Sequence, residues 1–288
     1  MEQGAQWPIR RLLFTSAMLA VAVYVTKDIW SDIINIALKD EEASQIFLVP
    51  PIFVWLIWVQ QSRLKMVQIR FSFLGPVLIA LGWLISWAGY RESFQAVWHA
   101  GAILIVLGSV ITILGPDVVR LLPAAFIVLI FLIPVPGVFR QRFAIPLQHM
   151  TAIASTMVLD LIGIEVLRSG NVIVYNNTQV AVAEACNGMR MVFALILVSY
   201  AYAFINPLKT WIRLIIILLS PLVALVCNVT RLVPTVLVYG HYSSEFAKQF
   251  HDWSGWVMLG IAFLILAGII NLLRWAQIPV MQYEHFED

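Results

Sequence analysis

Four side chains in this chain have the chemistry to break a covalent bond: Cys186, Arg190, Arg231 and His251. Cys186 lies in VAVAEACNGMRMVF, Val180 to Phe193, where a polar knot from Glu184 to Arg190 opens an apolar helix. A free cysteine usually packs as a small hydrophobe. The setting of Cys186 argues otherwise. It stands at a predicted helix N-terminus, where the dipole and free amides favour a thiolate. Arg190 follows four residues on, over the same face. Gly188, next to Asn187, leaves room for a substrate backbone to approach.

A second constellation is CNVTRLVPT, Cys227 to Thr235. Asn228 and Arg231 are three residues apart and share a helix face. They fall inside an apolar stretch, where a guanidinium costs several kcal/mol unless paired or hydrated and reads as functional by default. Pro234 just beyond can free carbonyls for a cavity. Cys227 sits deeper and reads as a packing residue. The third constellation is FHDWSGWVMLG, Phe250 to Gly260, with His251 at the start of the last apolar span. Asp252 can cap that helix, and Trp253 and Trp256 suit an interfacial belt. Topology does not force the choice of histidine, because His99 and His149 can also lie near the outer face. His241 falls in a loop and His285 in the tail.

A thiol, a guanidinium and an imidazole thus reach one membrane face from three helices. A thiolate activated by an imidazole, with a guanidinium holding an oxyanion, suffices for acyl transfer at a peptide bond. Glu184 and Asn228 would position Arg190 or Arg231. The two cysteines form no CxxC knuckle, so neither a metal site nor a cofactor is expected.

The elements that must hold these groups are read from the composition. Of 288 residues, 61% are hydrophobic and 12% charged; a soluble domain carries about twice that charge. Several segments are apolar for the roughly 20 residues that cross about 30 Å of hydrocarbon. The fold class expected is an all-α polytopic membrane protein of about eight transmembrane helices, near 11–27, 46–62, 72–90, 96–114, 118–135, 187–206, 211–239 and 253–275. The first apolar run ends without a small-residue cleavage site, so no cleavable signal peptide is expected. Arg10 and Arg11 precede the first span. The loop after it, Lys27 to Glu42, has five acids and two lysines, and Arg63, Lys65 and Arg70 follow the second span. Both termini therefore read as cytoplasmic.

Ala144 to Ile164 could also span, which would invert everything downstream. It reads instead as an interfacial or re-entrant helix on the outer face. After it, Val172, Val174, Gln179 to Val182 and the Asn176–Asn177 pair read as a small β-hairpin that delivers Cys186 to the mouth of the sixth span. Such backbone cannot lie bare in lipid. The net charge of +2 points to no nucleic acid or other particular partner.

The order of these pieces resembles the exosortase/archaeosortase family of membrane cysteine transpeptidases. FLIPVP at Phe131 to Pro136, PLQ at Pro146 to Gln148, LDLIGIEVLRSGNVI, EACNGMRM, NVTRLVP and HDWSGW carry the resemblance. It covers most of Val128 to Gly260, within one integral-membrane domain, 1–288. Residues 1–117 match only in their spans, and 118–275 form the catalytic core. The resemblance implies a catalytic Cys at Cys186, Arg at Arg231 and His at His251. Asn187 stands where the family usually has Ser, and Arg190 matches a common family position. The implied partners are exported proteins ending in a short motif such as Pro-Glu-Pro, a transmembrane helix and a basic tail, together with membrane lipid. The implied location is the inner cell membrane, with the site facing outward. Two other readings compete: an intramembrane cysteine protease with water as acceptor, and a non-catalytic component of polysaccharide export.

Overall fold

The computed structural model describes residues 9–182 and 189–275, most of them helical. The chain divides into two compact units, Met1–Pro136 and Gly137–Asp288.

In the first unit, α1 (Ile9–Val25) and α2 (Lys27–Lys39) meet at a 72° bend. Thr26 serves the break: its hydroxyl donates to the Ala22 carbonyl at 2.7 Å and accepts from Trp30 Nε1 at 2.8 Å. The charged stretch expected as a loop is therefore mostly helix. Among its acids runs the row Ile29, Ile33 and Ala37, which is buried with Ala43, Ile46 and Ala102. Burying that stripe decides the conformation, with Lys27, Asp28 and Lys39 left exposed and Asp32 turned inward to His99. A 3-10 stretch (Glu41–Leu48), α3 (Val49–Val59) and α4 (Gln61–Leu64) follow. Next come α5 (Leu74–Arg91), α6 (Gln95–Leu114), α7 (Asp117–Leu121), α8 (Pro123–Ile127) and a second 3-10 stretch (Val128–Leu132).

The α5–α6 pair packs backbone on backbone. A Cβ at Gly82 would lie 2.7 Å from the Gly101 carbonyl oxygen, and one at Gly108 would lie 2.8 Å from that of Gly75. Only residues without side chains permit helices to approach so closely.

The second unit comprises α9 (Gly137–Leu161), β1 (Leu167–Ser169), β2 (Val172–Tyr175), β3 (Thr178–Ala181), α10 (Met189–Ile205), α11 (Thr210–His241) and α12 (Ser244–Trp275). The hairpin appears as expected, turning on Asn176 and Asn177 at φ 48° and 61°, the left-handed pair that a type I′ turn requires. It gains a strand not foreseen: β1 pairs antiparallel with β2, giving the order β1-β2-β3. The cross-strand pair Ile173 and Val180 is buried. It packs with Ala152 and Leu159 of α9 and Leu232 and Val236 of α11. Each such fully buried side chain contributes about 1.5–3 kcal/mol. The hairpin tip docks on the end of α11, where Asn176 Nδ2 donates to the Gly240 carbonyl at 3.4 Å. A Cβ at Gly240 would lie 2.3 Å from the Tyr175 ring.

Helix α11 holds Pro221 and Pro234 in its interior. Pro221 removes the donor that would serve the Ile217 carbonyl; the Ser220 hydroxyl takes its place at 2.7 Å.

Among the described residues, four stretches are long and apolar enough to cross a bilayer: Glu42–Val59, Gln95–Leu114, Thr210–His241 and Ser244–Ile269. The count rises to six if Ile9–Val25 with Lys27–Lys39, and Pro123–Leu132 with Gly137–Leu161, are each one broken span. Length and apolarity thus support four to six spans, short of eight. The described part of α10 has only 17 residues, and Pro123 breaks the expected fifth span into short helices. Helix α9, by contrast, runs through the segment expected at the interface and starts earlier, at Gly137. The last helix starts nine residues before the expected 253, at Ser244. It carries His251 two turns in rather than at its first residue.

Candidate active site

Arg231 is the centre of the site. It is buried, 7% exposed, on the inward face of α11 with Ile216, Ala224, Asn228 and Thr235. A cation so placed needs acceptors, since burying an unpaired charge is costly. Helix α12 supplies them. Arg231 Nη2 lies 2.7 Å from His251 Nε2 and 2.8 Å from Nδ1, and donates to the His251 carbonyl at 3.1 Å. Arg231 Nε donates to Ser254 Oγ at 3.2 Å, whose own proton goes to the His251 carbonyl at 2.8 Å. Among the described residues, no carboxylate pairs with Arg231, and its Nη1 has no hydrogen-bond acceptor. A guanidinium has only donors, so the imidazole meets it as a neutral ring.

Two small residues make this contact possible, and neither stood out in the sequence. Ser254 is one helical turn beyond His251, so its hydroxyl bridges the His251 backbone and the guanidinium. Gly255 bares the helix surface: a Cβ there would touch Arg231 Cζ and Nη1 at 3.4 Å. The spacing His-x-x-Ser-Gly on a helix, facing an intramembrane Arg, is the signal that could have found them.

The start of α10 belongs to the same neighbourhood. Arg190 Cζ stacks over the Trp256 ring at 4.8 Å from its centroid, within the range of a cation–π contact. Trp256 is the residue after Gly255, so α10, α11 and α12 meet around one point. Arg190 was expected to act with Cys186, and it is brought to the site from the helix that Cys186 precedes in sequence. Cys186 itself, with Glu184, Asn187 and Gly188, lies outside the described residues.

Asn228 does not position Arg231 directly, as its spacing suggested. Its Nδ2 donates instead to Thr151 Oγ1 of α9 at 3.2 Å. Cys227 is 1% exposed among Met191, Val192, Leu195, Val223, Ala224, Ala262 and Leu266, which matches its reading as a packing residue. The structure also separates the histidines. His149 and His241 are exposed. His99 is fully buried in the first unit, with its Nε2 2.9 Å from Asp32 Oδ2. Of the four described histidines, His251 is the one beside Arg231. Among the described residues no group of His, Cys, Asp and Glu could hold a metal ion.

A family model described as transmembrane exosortase matches residues 30–268. No curated protein and no solved structure is detectably similar to the chain. The match spans most of both units, and the chain belongs to the transmembrane exosortase family.

Proposed function

We propose that this member of the transmembrane exosortase family is a cysteine transpeptidase. It cuts the C-terminal sorting signal of exported proteins at the outer face of the inner membrane and passes the acyl group to an anchor. The observation that carries this reading is the Arg231–His251 contact, two turns into α12. It lies beside the start of α10, three residues after Cys186 in sequence. An eight-span arrangement with both termini cytoplasmic would put that point at the outer interface.

The chemistry follows from the donors. His251 takes the thiol proton, and the Cys186 sulfur attacks the scissile carbonyl carbon. The carbonyl oxygen becomes an oxyanion. Arg231 Nη1 is free of acceptors among the described residues, and the Nη2 N–H that faces the ring becomes free once the ring is protonated, because imidazolium has no lone pair to offer it. Both can then turn to the oxyanion, so stabilisation appears only as charge develops. The imidazolium protonates the leaving amine, the C–N bond breaks and a thioester remains. The incoming nucleophile loses its proton to His251 and displaces the thiolate. Glu184, Asn187 and Gly188 flank the nucleophile in sequence, and Arg190 braces the helix start through Trp256.

The test is expression with a fusion protein ending in a Pro-Glu-Pro motif, a transmembrane helix and a basic tail. Wild-type enzyme should convert it to a shorter product, and Cys186→Ala and Cys186→Ser should leave it uncut. Product mass identifies the acceptor: a free carboxylate means water, and added mass means transfer. Processing by Cys186→Ala at the wild-type rate would overturn the reading and favour a non-catalytic export role.

A further inference from the structure

Helix α9 carries polar residues at Gln148, Thr151 and Ser155, spaced to share one face. Thr151 and Ser155 are both fully buried. They lie in the unit that holds the candidate site, yet none of them touches Arg231 or His251. Asn228, 1% exposed on α11, gives its amide N–H to Thr151 Oγ1 at 3.2 Å. Among the described residues, its Oδ1 and the Ser155 hydroxyl have no hydrogen-bond partner. A leucine at Asn228 would pack without that unmet demand, so the amide is kept for something other than burial.

Its place in α11 indicates what. Asn228 is one turn before Arg231 on the same face. Pro221 and Pro234 bracket the pair, each removing a backbone bond that would stiffen the helix. Each missing bond lowers the resistance of the helix to local twist, and a small twist swings a long guanidinium through a large arc. A lateral hydrogen bond at Asn228 stops that twist. We propose that Thr151 is a positioning residue, which fixes the azimuth of Arg231 toward the reacting centre by holding Asn228. Helix α9 is on this view a brace for the oxyanion donor as well as an interfacial element. The inference rests on the transpeptidase reading above.

The test measures kcat and KM for the sorting-signal fusion with purified Thr151→Val, Thr151→Ser and Asn228→Leu, and with the Thr151→Val/Asn228→Leu double variant. Thr151→Val keeps the shape and removes the hydroxyl. It should lower kcat about tenfold with KM unchanged, because the lost bond acts only where the oxyanion forms. Thr151→Ser should restore kcat, and the double variant should be no worse than Asn228→Leu alone. Wild-type kcat in Thr151→Val overturns the proposal. So does a loss confined to KM or to the yield of folded protein, additive losses in the double variant, or a failure of Thr151→Ser to rescue. Cys186→Ala in the same assay separates the two levels: if it still turns over, the transpeptidase reading itself falls.

Discussion

One guanidinium nitrogen, Arg231 Nη2, faces both ring nitrogens of His251, at 2.7 Å from Nε2 and 2.8 Å from Nδ1. The donor that would hold an oxyanion therefore rests against the base that would create it. On the mechanism proposed above, protonation of the ring would release the Nη2 N–H that faces it, which would couple proton transfer to oxyanion binding.

Arg231→Lys tests that coupling. Lysine keeps the charge but loses the fork that reaches Ser254 Oγ and His251 together. Processing should fall roughly a hundred- to thousandfold, the usual cost of an oxyanion donor. Uncut precursor should accumulate and still co-purify with the enzyme if, as proposed, a transmembrane helix and basic tail supply most of its affinity. Near wild-type processing would reduce Arg231 to a counter-charge and move the oxyanion role to Arg190. Loss of the precursor from the purified enzyme would make Arg231 a binding residue.

Gly255 offers a graded steric probe of the same contact. An alanine Cβ would sit at ordinary van der Waals distance, 3.4 Å from Arg231 Cζ, so Gly255→Ala should stay within about threefold of wild type. The two extra methyls of Gly255→Val have no room beside the guanidinium. A displacement of about 1 Å is enough to lower the rate about a hundredfold. Steady-state kinetics on both variants checks this, and equal activities would show that the guanidinium position is not critical.

Cys227→Ala should keep processing within about twofold of wild type and lower thermal stability by about 1 kcal/mol, the ordinary cost of a small change in a packed core. The measurement is the melting temperature of the purified protein beside its specific activity. An inactive but stable Cys227→Ala would instead make the nucleophile the buried thiol one turn before Arg231 on the same helix.

A membrane-impermeant thiol reagent added to intact cells should label Cys186 and leave Cys227 untouched until the protein is denatured. Labelling of Cys186 only after the membrane is opened would mean that the polypeptide between Ala144 and Ile164 crosses the bilayer and that the site faces inward.

The parts of the site legible in the sequence were those with a large electrostatic cost. A guanidinium at Arg231 in an apolar run, and an imidazole at His251 beside two tryptophans, stand out because membranes tolerate them poorly. Ser254 and Gly255 cost nothing in isolation, so their part in seating Arg231 emerges only when α12 lies against α11. Asn228 was recognisable as a polar residue on the Arg231 face, but spacing along one helix cannot say which other helix will accept its proton. Strand β1 escaped notice because Leu167–Ser169 has three residues and no alternation of its own; it is strand only through pairing with β2. Helix α2 was obscured by its acids, although Ile29, Ile33 and Ala37 held the helical period throughout. In the span count, the proline at 123 interrupts what hydropathy alone joins.

The glycine contacts between α5 and α6 bear on how functional screens of this protein must be interpreted. At Gly75, Gly82, Gly101 and Gly108 any side chain would collide with the opposing backbone or its immediate side chains. Substitutions there should remove the protein from the membrane without touching a reacting group. A saturation screen scored on processing alone would rank these four positions with the catalytic residues. Scored together with the amount of enzyme in the membrane, they would fall into a separate class, in which activity per molecule is preserved and the number of molecules collapses.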